Sequence, residues 1–236
     1  MKKLSIVGYA SSYKEAPFLD DEFEIWIMND MHDLVPRYDV LFDIHDPNEI
    51  KGRPVTRQKG LPQWETLKTI KKPIYMQKHF DEIPASIEFP LQRLIDKYHI
   101  PAMGDKLFVT CSVALLLAFA IDLGYEEIHL YGIDEAVDEE YSLEMPSVIY
   151  WLGYAAGKGI KIVVSPHSPL LKGWYVYGYE EPQKKHMVEF LKGESDRVKG
   201  IQQKAFENRD FYQQEQLKCE GALVLIEHIN KLITKI

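Results

Sequence analysis

The fold class follows from residues 106–134, KLFVTCSVALLLAFAIDLGYEEIHLYGID. The pattern predicts a short strand, a Thr-Cys-Ser turn, an apolar helix that ends at Gly124, and a second strand with an acidic exit. A strand, a helix and a strand in this order form the unit of an open parallel sheet with right-handed crossovers. The turn leaves helix amides free at the point where such folds bind phosphate. The stretch therefore predicts a fold class and the place of a site, but no particular reaction.

Strand and helix patterns alternate through the first 180 residues. Runs typical of strands occur at 4–7, 23–28, 39–44, 73–76 and 160–164, and helical spacing occurs at 64–70, 90–98 and 148–158. We predict an α/β fold over residues 1–180, with a Rossmann-like open, mostly parallel sheet that has helices on both faces. Residues 48–60 carry Lys51, Arg53, Arg57 and Lys59 and are predicted to form a long exposed loop.

Residues 181–236 are predicted to form a separate C-terminal helical extension. They are charged, show no strand pattern, and carry two apolar stripes at helical spacing. A helical hairpin and one long bent helix both fit this pattern. Because so narrow an apolar face is marginal alone, we expect the helices to pack on the first domain or on a second subunit, which predicts a homo-oligomer. A solvated tail is the alternative.

Composition excludes some classes of partner. A net charge of −8 over 236 residues argues against broad nucleic-acid binding through a basic face. The apolar runs are too short to span a bilayer, so we expect no membrane partner, and the initial MKKLSIVGYA fits a first strand better than a signal peptide. Cys111 and Cys219 stand far apart in different contexts. They predict neither a disulfide framework nor a zinc site and fit a reducing cytoplasm.

Polar and small residues follow most of the predicted strands. Open parallel sheets bind their ligands at the carboxyl ends of strands, near the point where the strand order reverses. Residues that are scattered in sequence would therefore converge in space. This candidate set consists of Gly8, Ser11, Ser12, Asn29, Asp30, His45, Asp46, Thr110, Cys111, Ser112, Asp134 and Glu135.

Two turns of this set could hold phosphate groups. Residues 8–12 offer a glycine for close approach and two hydroxyls, but match neither a P-loop nor a GxGxxG motif, and an ordinary turn is the alternative. At Thr110 to Ser112, free amides and the helix dipole favour an anion. Thr110 is also expected to cap the helix through its hydroxyl group, and capping by itself needs no ligand.

Three kinds of side chain could carry chemistry. Asp134 and Glu135 could bind Mg²⁺ beside a phosphate, or Asp134 could act as a base, with a solvated acidic loop as the alternative. His45 could be a general acid or base, or a strand-end histidine bonded to Asp46 or to the backbone. Cys111 lies at a helix start, but a small buried side chain is favoured over a nucleophile.

The segment FVTCSVALLLAFAIDLGYEEIHLYGID resembles one that recurs in archaeal 6-hydroxymethylpterin pyrophosphokinase-like proteins and in bacterial sialyltransferases that use a cytidine-monophosphate sugar. The resemblance extends further in uncharacterised bacteriophage and prophage proteins. It includes EIWIMND, LFDIHD, the Trp64 helix with PIYM, and EEYSLEMPSVIYWLGYAAGKGIKIVVSPHSPLL. It covers roughly residues 4–175 and, more loosely, the tail, and likeness of this kind supports fold better than function.

Carried over residue by residue, the resemblance implies a nucleotide-side set that contains Gly8, Ser11, Ser12, Asn29, Thr110, Cys111, Ser112, Gly132 and Asp134. A cysteine stands at position 111 where the family often has a serine, which removes a hydroxyl contact but keeps the amides. His167, in SPHSPLL, is the nearest candidate for a sialyltransferase-type histidine. It could act as a base, and a turn residue is the alternative.

The resemblance implies a phage- or prophage-type protein in the cytoplasm of a bacterial host that binds a nucleotide or nucleotide sugar. As an enzyme it would transfer a glycosyl or pyrophosphoryl group. Asp134, His45 and His167 are then the catalytic candidates, and Mg²⁺ is the cofactor that Asp134 and Glu135 suggest. Two alternatives stay open. One is a non-catalytic binder that sequesters a nucleotide-derived host signalling molecule, and the other is a structural or assembly protein.

Overall fold

The computed structural model describes residues 1–53, 61–133, 139–166, 168, 170–171 and 176–179, together with positions 195, 199, 202, 203, 206, 209 and 213. The chain divides into two compact units, Met1–Lys172 and Gly173–Ile236. Of the second unit, the structure describes a turn at Val176–Tyr179 and the seven isolated positions, all of which are helical. The choice between a hairpin and one long helix lies outside the described residues.

The first unit is built on one sheet of seven strands. In chain order these are β1 (Lys3–Val7), β2 (Phe23–Met28), β3 (Val40–Phe42), β4 (Ile74–Met76), β5 (Ser86–Glu88), β6 (Glu127–Tyr131) and β7 (Lys161–Val164). Their spatial order is β5-β4-β3-β2-β1-β6-β7, and every neighbouring pair is parallel. The Rossmann-like fold is therefore confirmed, with a sheet that is wholly parallel among the described residues.

Helices cover both faces of the sheet, as predicted. They are α1 (Pro47–Gly52), α2 (Gln63–Leu67), α3 (Leu91–Tyr98), α4 (Ser112–Asp122) and α5 (Glu139–Gly157). The side chains of α3, α4 and α5 share one core cluster with Leu4, Ile6 and Trp26 of the sheet. Those of α1 and α2 share the other cluster, on the side of Val7 and Ile27. Successive strand residues point to opposite faces, so a strand that is covered on both sides is apolar at nearly every position.

The sequence predicted a short strand at the start of residues 106–134, and this prediction is wrong. Lys106 makes only an isolated bridge to Ile100, and residues 107–109 pair with no strand of the sheet. Leu107 is nevertheless buried, and the Phe108 carbonyl accepts a hydrogen bond from Trp151 Nε1 at 2.8 Å. The segment is thus extended and apolar because it packs against α5, which occupies backbone groups that a strand would share with a neighbour.

Residues 48–60 begin as helix α1 and not as the exposed loop that the basic residues suggested. Pro47 opens the helix, and the Asp46 carboxylate caps it by accepting a bond from Asn48 N at 2.7 Å. Arg57 and Lys59 lie outside the described residues.

Strand β5 was not predicted, because three residues in a polar context carry no clear period. No helix in the described parts of the chain has the length and apolar character to cross a bilayer.

Candidate functional site

The strand order reverses between β1 and β6. From β1 the chain builds outward through β2 to β5 on one side, then returns to place β6 and β7 on the other side. Neighbouring strands that lead away in opposite directions leave a crevice at their carboxyl ends, and open α/β sheets bind ligands there. The residues that leave β1 and β6 at this crevice are Gly8 and Gly132.

Gly8 and Gly132 hold the two strand exits against each other. Gly8 N donates to the Tyr131 carbonyl at 2.8 Å, and Ala10 N donates to the Gly132 carbonyl at 2.9 Å. A Cβ atom on Gly132 would lie 2.2 Å from the Gly8 oxygen, and its φ of +67° is itself costly for other residues. The glycine at position 8 thus allows the close approach of another backbone, where the sequence suggested the approach of a ligand.

The paired serines after Gly8 differ in their surroundings. Ser12 is buried, and its Oγ accepts a hydrogen bond from Gly132 N at 2.8 Å, which ties the first turn to the end of β6. Ser11 is exposed, and its side chain makes no hydrogen bond to another described residue. Of the two predicted contacts, only the Ser11 hydroxyl faces outward.

Asn29 and Asp30 follow β2 in a strained turn. Asn29 has a φ of +55°, and its amide donates to the Phe42 carbonyl at 2.8 Å. Its Oδ1 is buried with no hydrogen-bond partner among the described residues. The Asp30 amide donates to the Tyr9 hydroxyl at 3.0 Å, and the Asp30 carboxylate also contacts that hydroxyl. Tyr9 therefore links the loops after β1 and β2. No sequence motif around Tyr9 predicted this contact.

The end of β3 carries a polar network around Asp43. The Asp43 carboxylate is fully buried and has three partners among the described side chains. His45 Nδ1 lies 2.9 Å from Oδ1, Gln63 Nε2 donates to Oδ2 at 3.1 Å, and Arg53 Nη1 lies 3.5 Å from Oδ2. About a third of each side chain of His45 and Arg53 remains exposed. The prediction that His45 bonds to Asp46 is therefore wrong. His45 pairs with Asp43, and the Asp46 carboxylate caps α1.

A second histidine–carboxylate pair follows β2. His32 Nδ1 lies 2.9 Å from Asp33 Oδ1, and both side chains are enclosed, at 2% and 0% exposure. Burial and the negative charge of Asp33 raise the pKa of the nearby Tyr38 hydroxyl. This pair was not among the residues predicted from the sequence, although two adjacent polar residues after a strand are a usable signal. Its enclosure separates it from His45, whose ring reaches solvent.

Thr110 does not cap α4, in contrast to the prediction. The N-cap residue is Cys111, and no side chain caps the helix. Thr110 Oγ1 instead lies 2.7 Å from Ser147 Oγ and donates to the Leu143 carbonyl at 3.0 Å. The hydroxyl is thus committed to α5. Cys111 is half-buried against the core, and Ser112 opens the helix, so this turn can offer amides more readily than hydroxyls.

Some predicted residues lie outside the described part of the chain. These are Asp134, Glu135 and His167. Among the described residues, no group of three or more His, Cys, Asp or Glu side chains could hold a metal ion. The Mg²⁺ expectation depends on Asp134 and Glu135 and stays a prediction.

Polar groups continue along the carboxyl edge to β7. Ser165 leaves β7 and donates to Glu15 Oε2 at 2.9 Å. Glu15 belongs to the turn after β1, so this bond spans β6. Burial raises the pKa of the Tyr131 hydroxyl, and the negative charges of Glu15 and Glu127 raise it further. Among the described residues, the carboxyl edge therefore presents histidine and carboxylate groups on the β3 side of the crevice, and a hydroxyl and a carboxylate on the β7 side.

Two surface depressions lie away from this edge. One is lined by residues of α3 and α4, where Arg93 and Lys97 both pair with Asp122. The other lies at the amino ends of β1 and β2, where Arg37 pairs with Asp21 and Asp39. Their charges are already matched within the chain, so they offer less to a charged ligand than the carboxyl edge.

No protein-family model matches the chain, and no curated protein is significantly similar to it. Several solved structures have a similar chain fold. The sialyltransferase CstII from Campylobacter jejuni, in complex with the substrate analogue CMP-3FNeuAc, is 20% identical over 70% of this chain and 80% of its own, with a TM-score of 0.44. Its complex with cytidine-5′-monophosphate is 18% identical over 72% and 82%, with a TM-score of 0.46.

The α-2,3-sialyltransferase of the same organism, in its apo form, is 17% identical over 70% of this chain and 75% of its own, with a TM-score of 0.45. Identities and TM-scores in this range do not decide what the present chain binds.

Proposed function

We propose that this protein binds a nucleotide or nucleotide sugar at the carboxyl edge of its sheet and transfers the glycosyl group to a hydroxyl acceptor. The observation that carries the proposal is the reversal of strand order between β1 and β6, with polar strand ends on both sides. Ser11 is exposed beside the crevice, and the turn at Cys111 and Ser112 offers amides of α4. Both features suit a phosphate-bearing ligand.

His45 is the proposed acid or base of the transfer. It follows β3, which lies two strands from β1, or about 10 Å at the usual strand spacing. A nucleotide sugar can span that distance, with its phosphate near the crevice and its sugar toward His45. Pyrophosphoryl transfer is the alternative reaction, because residues 108–134 resemble pyrophosphokinase-like proteins as well as sialyltransferases.

The finer expectations belong to the same proposal. They are a phage or prophage origin, a location in the bacterial cytoplasm, a homo-oligomer formed through residues 181–236, and Mg²⁺ held by Asp134 and Glu135. Asp134 and His167 remain further catalytic candidates. Each of these follows from the sequence.

A thermal-shift screen of nucleotides and nucleotide sugars tests the binding step. A ligand at 100 times its Kd stabilises a protein by about 2.7 kcal/mol, which is easily measured. We expect stabilisation by one nucleotide class, and mass spectrometry of small molecules that co-purify with the protein should identify the same class. No stabilisation by any compound would contradict the proposal and favour a structural or assembly role.

Turnover is tested separately with the ligand that binds. We expect release of the free nucleotide in the presence of a hydroxyl acceptor, followed by chromatography. Tight binding without turnover across a panel of acceptors would instead favour the non-catalytic binder.

A further inference from the structure

We propose that Asp43 is the positioning residue of a histidine–carboxylate pair in which His45 is the base. The inference rests on the proposed glycosyl transfer and assigns the proton in it. Asp43 follows β3 directly, and its carboxylate is fully buried at the bottom of the network described above. A buried carboxylate needs hydrogen-bond donors, and His45 Nδ1 supplies one at 2.9 Å.

The geometry determines which ring nitrogen carries the proton. An ionised carboxylate only accepts hydrogen bonds, so the Nδ1 atom that faces Asp43 must be protonated. In the neutral ring, Nε2 then keeps its lone pair and is the acceptor. The ring is about one-third exposed, so this nitrogen belongs to the part of the network that can meet a substrate.

Gln63 and Arg53 keep the carboxylate in place. Both approach Oδ2, the oxygen that His45 does not use, at 3.1 and 3.5 Å. One carboxylate oxygen therefore contacts the histidine, and the other contacts Gln63 and Arg53. Supporting contacts of this kind hold a catalytic side chain in one orientation.

The other described histidines are arranged differently. His32 is enclosed. His129 has both ring nitrogens engaged, Nε2 by Glu127 at 2.6 Å and Nδ1 by the Tyr131 hydroxyl at 3.2 Å. His79 and His99 each direct Nδ1 to a backbone carbonyl. Among the described histidines, His45 alone combines a buried carboxylate on one nitrogen with a partly exposed ring at the carboxyl edge.

His45 Nε2 takes the proton of the acceptor hydroxyl while the acceptor oxygen forms a bond to the anomeric carbon of the donor sugar. The bond from that carbon to the phosphate oxygen breaks, and the nucleotide leaves with the electron pair. Asp43 stabilises the imidazolium that forms and is not itself protonated, and an oriented base typically contributes about 10²–10⁴-fold to the rate.

Nitrogen-15 NMR of histidine-labelled protein tests the pair without any substrate. Spectra of the unmutated protein and of His45→Gln identify the His45 ring signals by their loss. We expect the proton on Nδ1 in the unmutated protein, and a tautomer change in Asp43→Asn, whose amide can donate to that nitrogen. Asp46→Asn is the matched control, because asparagine preserves the helix cap, and it should leave the His45 signals unchanged.

The opposite neutral tautomer in the unmutated protein, with the proton on Nε2 and none on Nδ1, would overturn the inference, even if Asp43→Asn did not fold. So would an Asp43→Asn protein that folds and keeps the original tautomer.

Kinetics with an identified donor then measure the consequence. Asp43→Asn and His45→Gln should each lower kcat by about 10²–10⁴-fold with little change in the KM of the donor, and the double variant should be no slower than His45→Gln. If both single variants instead raised the KM of the donor to the same extent and left kcat unchanged, a role in proton transfer would be contradicted. An Nδ1 proton in a protein that binds no nucleotide would refute the proposed function and leave the Asp43–His45 orientation standing.

Discussion

The carbonyl oxygen of Gly132 lies 2.5 Å from the point where a Cβ atom on Gly8 would stand. Real Cβ atoms do not come so close to a backbone oxygen, so Gly8→Ala must push apart the ends of β1 and β6. We expect it to lower the free energy of unfolding by about 3 kcal/mol, the upper part of the range for overpacked sites. Urea denaturation measures the change.

The matched control for that variant is Gly153→Ala. Gly153 is exposed within α5, and a Cβ atom there would meet nothing within 4 Å. Alanine should stabilise this helix by about 0.5–1 kcal/mol. Equal effects of the two substitutions would show that the approach of β1 to β6 is looser than described.

Ser11 and Ser12 provide a pair of neighbouring hydroxyls with opposite expected effects. Ser12→Ala leaves the buried Gly132 amide without its acceptor, which costs about 1–3 kcal/mol of stability. Ser11→Ala should change stability by less than about 0.5 kcal/mol, because the side chain is exposed. If Ser11 contacts a phosphate, its loss weakens nucleotide affinity alone. Calorimetric titration and thermal unfolding separate the two effects, and a reversed pattern would contradict the assignment.

Thr110 and Ser147 should be energetically coupled. Their hydroxyl oxygens lie 2.7 Å apart, so Thr110→Val and Ser147→Ala each remove the same bond. A double-mutant cycle should return a coupling energy of about 0.5–1.5 kcal/mol. If Thr110 instead capped α4 through its hydroxyl, the two substitutions would be additive. Chemical denaturation of the four proteins distinguishes these results.

Glu127 should make stability depend on acid pH. Its Oε1 accepts bonds from Lys161 Nζ at 2.7 Å and His129 Nε2 at 2.6 Å, and these partners lower the pKa of Glu127. Because the pKa is lower in the folded chain than in the unfolded one, the stabilisation is present above the unfolded pKa and is lost as pH falls through the folded one. We expect Glu127→Gln to cost about 1–2 kcal/mol at neutral pH and less in acid.

Unfolding free energies at about pH 7 and about pH 3 measure this change. Glu88→Gln is the control, since Glu88 is exposed on β5 and should change stability by less than about 0.5 kcal/mol at either pH. A cost at Glu127 that does not fall in acid would contradict the ionic origin of the effect.

Most of the sheet could be predicted because buried parallel strands are nearly continuous apolar runs, as in β2 and β3. The same rule failed at Leu107 to Val109, where an apolar run packs against α5 and pairs with no strand. The local pattern of apolar residues indicates that a segment is buried and extended. It does not report which backbone groups will be shared with a neighbour, because that depends on elements far away in sequence.

The site was predictable as a place but not as a set of contacts. His45 was expected at the end of the third strand, yet that strand was extended to residue 44 and so concealed Asp43 inside it. The strand ends at Phe42, and Asp43 becomes the first residue beyond it. A displacement of two residues in a strand boundary thus hid the partner of the candidate base. An aspartate inside an otherwise apolar run was the available signal.

The interior position of β1 in the sheet has a consequence for synthesis of the chain. Val7 pairs with Ile27 on one side and with Tyr131 on the other, so one edge of β1 stays open until 124 further residues are made. At typical rates of about 5–20 residues per second, this takes roughly 6–25 s. During that time the nascent chain exposes an unpaired apolar edge of the kind that templates aggregation.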